Sequence, residues 1–82
     1  MRHLQDIPHA QFRISLFAWN NKFIVKVEHG LLEQTYKISE LDVTGPEDVE
    51  ALLDPLFLEQ VTRRFQDMTT DWRASMERNG VV

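Results

Sequence analysis

The sequence predicts an α+β fold, a three-stranded antiparallel meander followed by a short and a long helix packed on one sheet face, in the order β-β-β-α-α. Three observations predict it. Apolar residues alternate at period two from Phe12 to Val27. Two turn-forming pairs, Asn20-Asn21 and His29-Gly30, interrupt the alternating stretches. After Asp54 the apolar spacing changes to three and four, the period of a helix.

The first two strands, 11–19 and 22–29, fix each other's register. Phe12, Ile14, Leu16 and Ala18 fall on one face, as do Phe23, Val25 and Val27. Asn20 and Asn21 both tolerate the positive φ of a two-residue hairpin turn. With that turn, Trp19 faces Lys22, Leu16 faces Val25 and Ile14 faces Val27 on the core side. Arg13 then faces Glu28, and Phe17 faces Ile24, on the other side. A slip of one residue would send every apolar side chain to the wrong face.

The third strand, 32–39, follows by the same argument. Taking His29-Gly30 as the turn sets Val27 opposite Leu32, Lys26 opposite Glu33 and Phe23 opposite Tyr36. Gln34 opposite Val25 is the one poor match, and it is read as the edge of the covered region. Residues 1–10, interrupted by Pro8, are expected to form a mobile arm or a cover for the outer sheet face.

Thr44 with Glu47 three residues later has the capping-box pattern, and Pro46 suits a first helical turn, so a short acidic helix is placed at 46–53. Asp54-Pro55 restarts the signal for a long helix ending near Arg78, with Asn79-Gly80 as its stop. Phe57 or Leu58, Val61, Phe65, Met68, Trp72 and Met76 form its apolar stripe, with Trp72 and Met76 expected in the core. Glu59, Arg63, Asp67 and Asp71 follow at four-residue spacing on the outward face, with Arg73 and Glu77 as another such pair, and are read as solvated helix-surface pairs.

Eighty-two residues make one small domain, 1–82, with 11–39 as the meander and 46–78 as the two helices. A domain of this size buries only about 60% of the surface its unfolded chain exposes, a shortage that self-association relieves. Without cysteine there is no disulfide, thiolate metal site or cysteine nucleophile. The net charge of −4 argues against a protein built to grip duplex DNA or anionic lipid. No apolar run has the length of a signal or a membrane span, so the chain is read as cytoplasmic. The net charge also conceals a polarity: residues 1–37 carry +2 and residues 38–82 carry −6.

Little in the sequence points to catalysis. His3, His9 and His29 do not have the spacing of metal ligands. Ser15, Ser39 and Ser75 lie in no nucleophile elbow, and glycines at 30, 45 and 80 form no phosphate loop. No cofactor is implied. The strand-strand-strand-helix order resembles the double-stranded-RNA-binding domain, but that family's leading helix and basic helix start are missing. Glu47, Asp48 and Glu50 stand at the first helix here and would repel phosphate, which excludes that family.

The outer sheet face is the candidate site. Phe17, Trp19 and Ile24 lie on it as an apolar cluster that the helices cannot also cover, with Arg13, Lys22 and Lys37 as a charged rim. The expected function is a non-catalytic interaction module, self-associating as a homodimer through this face. The acidic helix 46–53 is left for a basic protein partner. Cations beside aromatic rings on a sheet also suit single-stranded nucleic acid, the alternative reading.

Overall fold

In the computed structural model, which describes residues 1–81, the chain forms four strands and two α-helices. β1 spans Arg2–Ile7, β2 Arg13–Trp19, β3 Lys22–His29 and β4 Leu32–Ser39. A 3₁₀ turn at Glu40–Asp42 leads to α1, Pro46–Ala51, and α2, Pro55–Arg78. The sheet is an antiparallel meander in the order β1-β2-β3-β4, and both helices lie on one of its faces.

The α+β class and the helix order are those expected, but the sheet has four strands rather than three. The segment 1–10 is neither an arm nor a cover: residues 2–7 pair with β2, from Arg2 opposite Ala18 to Ile7 opposite Ile14. Leu4 and Ile7 are three residues apart, a spacing that an unbroken strand cannot place on one face. A bulge between His3 and Gln5 resolves this. With one extra residue opposite Leu16, Leu4 packs against the core while Gln5 donates to Glu50 of α1 at 3.0 Å.

β2 and β3 pair in the expected register throughout, from Arg13 opposite Glu28 to Trp19 opposite Lys22. Asn20 and Asn21 take φ of 53° and 61°, the two positive values of a type I′ turn. The β3–β4 register differs by two residues from expectation. The turn is Gly30-Leu31, with Gly30 at φ 60°, and His29 rather than Val27 stands opposite Leu32. Phe23 therefore meets Ile38, Lys26 meets Thr35, and Gln34 meets Val27. A shift of two preserves the facing of every side chain, so hydrophobic alternation cannot detect it.

The core joins Phe12, Ile14 and Leu16 to Phe23, Val25 and Val27, under Val49 of α1 and Val61 and Phe65 of α2. Gln34 is not at the margin of this region but inside it, buried and hydrogen-bonded to α2.

The helix ends follow local chemistry. Asp54 accepts from the Phe57 amide at 2.8 Å and Pro55 fills the first turn of α2, as its sequence implies. At the other end the Val81 amide donates to the Met76 carbonyl at 2.9 Å, and Gly80, at φ 73°, donates to the Glu77 carbonyl. This pattern is a Schellman stop. At α1 the expected Thr44–Glu47 box is replaced by Asp48, whose carboxylate accepts from both the amide and the hydroxyl of Thr44. Of the expected helix-surface ion pairs, Arg73–Glu77 forms, at 3.4 Å, whereas Glu59–Arg63 and Arg63–Asp67 do not come within ion-pair distance.

Trp72 is not in the core: it is 57% exposed. A helix of 24 residues spans about 36 Å, longer than the roughly 27 Å of an eight-residue strand, so its last turns overhang the sheet. Met76 is only half-buried there, beside Leu32 and the β3–β4 turn.

Candidate interaction surface

Alternation along the strands places Arg13, Ser15, Phe17 and Trp19 of β2 on the face away from the helices. Lys22, Ile24, Lys26 and Glu28 of β3, and Glu33, Thr35 and Lys37 of β4, share that face. β1 adds His3 opposite Phe17 and Asp6 opposite Ser15.

The face brings together the six residues singled out from the sequence, but not as one open apolar patch. Ile24 is only 3% exposed although no helix covers it. Phe17 and Lys37 stand directly across from it on the neighbouring strands, and side chains of the sheet itself enclose it. Phe17 is half-buried, with the His3 ring edge-on at 5.3 Å and Lys26 Nζ 5.4 Å from its centroid, a cation–π distance. Trp19, 55% exposed, is the open aromatic side chain of this face.

Charge is distributed unevenly. Lys22 and Lys37 lie towards the Asn20-Asn21 turn, while Glu28 and Glu33 lie towards the opposite end. Among the described residues Arg13 pairs with Glu28 at 3.8 Å, and Lys22, Lys26 and Lys37 have no carboxylate within ion-pair distance. The two-residue shift of β4 is what separates Lys26 from Glu33. On β1, His3 donates to Asp6 at 2.8 Å, and this hydrogen bond holds the Asp6 carboxyl below its usual value, assisted by Ser15.

The acidic helix is less available than its composition implies. Asp48 is engaged by Thr44 and Glu50 by Gln5, so two of the acids in α1 already have partners within the chain. The Thr44 hydroxyl and amide hold the Asp48 carboxyl below its usual value.

The other notable surface is a groove of about 610 Å³ floored by the buried rings of Phe12 and Phe65 and walled by Gln11, His29, Gln66 and Thr69. His9 stacks on Phe12 with ring centroids 4.8 Å apart and accepts the amides of Gln11 and Phe12 through Nδ1, which fixes the β1–β2 connection. Among the described residues no three His, Asp or Glu side chains are grouped to hold a metal ion, and no helix is long and apolar enough to cross a membrane. Compared with known proteins, the chain matches no family model, no curated protein and no solved structure.

Proposed function

We propose that the chain is a small, self-associating interaction module without catalytic activity, and that its outer sheet face is the surface offered to a partner. The observation that carries this reading is the half-open Trp19 beside Phe17, on a face without helices, next to Lys22 and Lys37. An exposed tryptophan inside a charged rim is the usual composition of a binding hot spot. With Ile24 buried and Phe17 half-buried, Trp19 is the main open apolar surface of this face, a narrower seat for a second copy than alternation alone implies. The lysine end of the face suits an acidic protein segment, with Arg13 further along the rim.

One observation favours a second reading, single-stranded nucleic acid. Lys26, which the expected register would have neutralised with Glu33, is free and lies over the Phe17 ring. Three cations without carboxylate partners among the described residues, beside two aromatic rings, resemble a base-stacking platform.

Tryptophan fluorescence titrations with a polyglutamate peptide and with oligo-dT, at low and raised salt, separate the two. Quenching by the peptide alone, lost in Trp19→Ala and weakened in Lys22→Glu, supports the protein-partner reading. Salt-sensitive quenching by oligo-dT replaces it with the second. Silence towards both removes this face as a binding surface.

A further inference from the structure

The two edges of the sheet are not equivalent. β1 is six residues long, carries a bulge and is followed by Pro8, three devices that discourage pairing with another chain. β4 has eight residues, without proline or bulge, and α2 packs on its helix-side residues, where Gln34 bonds to the Val61 carbonyl. The Glu40 amide donates to the Asn21 carbonyl at 3.1 Å, and a two-residue turn closes the hairpin at His29 and Leu32. Both facts show that the even-numbered residues of β4 bond to β3. The main-chain groups of Glu33, Thr35 and Lys37 therefore point outwards from the sheet, unpaired within the described chain.

We propose that a second copy of this chain pairs antiparallel along β4, with the two-fold axis at Thr35, joining two four-stranded sheets into one. This deepens the self-association reading by naming its contact. In that register Glu33 faces Lys37 of the second copy and Lys37 faces its Glu33, while Thr35 faces its own counterpart. Each is a favourable cross-strand pair. On the helix side Leu32 meets Ile38, and Gln34 meets Tyr36. Moving the axis by one residue to either side loses the Glu33–Lys37 match, so charge selects this register.

The single chain leaves both charges of that match unresolved. Glu33 stands directly opposite Glu28, an unfavourable like-charge pair, and receives only the Thr35 hydroxyl. Lys37 stands opposite Ile24, with no acid within ion-pair distance among the described residues. Beside this edge an apolar groove of about 340 Å³ opens between Tyr36, Ile38, Leu52, Leu53 and Phe57, and adds apolar area to the same contact. Leu52 and Leu56, both more than half exposed, lie at the α1–α2 corner beside it.

Charge reversal tests this directly, because Glu33 and Lys37 are exposed and their substitution leaves the core untouched. In sedimentation equilibrium the wild type is expected to be dimeric. Lys37→Glu and Glu33→Lys should each raise the dissociation constant roughly tenfold, and the double variant should bring it back towards wild type. The Thr35 and Lys37 amides should gain hydrogen-exchange protection as protein concentration rises. A double variant no tighter than the single ones overturns the proposal. A dimer that ignores all three variants but dissociates in Trp19→Ala overturns the edge contact while leaving self-association standing. A monomeric wild type overturns both.

Discussion

Gln34 donates its side-chain amide to the main-chain carbonyl of Val61 at 2.9 Å, tying β4 to the second turn of α2 inside the core. Its carbonyl oxygen accepts the Tyr36 hydroxyl, which in turn accepts from Arg64 at 3.2 Å. A buried glutamine whose polar atoms are satisfied costs little, whereas its truncation leaves a void and a lost partner. Gln34→Ala should therefore destabilise by about 2–3 kcal/mol, and the volume-preserving Gln34→Met by about 1 kcal/mol or less. Urea unfolding midpoints check the difference, and equal losses would contradict it.

Phe65 and Trp72 occupy the same apolar stripe of α2 but different environments. Phe65 is buried against Phe12, with ring centroids 5.3 Å apart, whereas Trp72 overhangs the sheet. Phe65→Ala should cost about 3–5 kcal/mol. Trp72→Ala should cost less than about 1 kcal/mol, because a half-exposed ring leaves no closed cavity behind. Thermal melts of the two variants should separate widely.

The Asn20-Asn21 turn predicts an asymmetry of substitution. Alanine at either position must adopt a left-handed conformation and should cost about 1 kcal/mol. Asn21→Gly should match or exceed the wild type, since Asn-Gly is a preferred type I′ pair. An Asn21→Ala variant as stable as Asn21→Gly would mean the turn does not hold this conformation in solution.

The Thr44–Asp48 cap has a defined pH signature. Because the folded carboxyl lies below its ordinary value of 3.8, the stability it supplies is complete above that pH. It declines as pH falls through the lower folded-state value. Acid titration of helicity should show the wild type losing its advantage over Asp48→Asn below pH 3.8, and a gap that persisted unchanged to strongly acidic pH would refute the linkage.

Much of this molecule was legible in the residues. Asn20-Asn21 and the matched apolar pairs fixed β2 against β3, and Asp54-Pro55 fixed the start of α2, because turn chemistry and capping act over a few neighbouring residues. β1 escaped because its bulge breaks the alternation that reveals strands. The β4 register escaped because a two-residue slip leaves the facing pattern unchanged. At the candidate site the sequence identified the face and its cations but not the burial of Ile24, which depends on neighbours from three strands.

The sequence alone determined the α+β class, the first hairpin and the sided distribution of charge, since each rests on periodicity or on chemistry between near neighbours. The tertiary structure decided which edge of the sheet is guarded, which lysines are left without acids, and where α2 outruns its support. These depend on strand register and on the relative lengths of the packed elements, and only the assembled sheet and helix specify either.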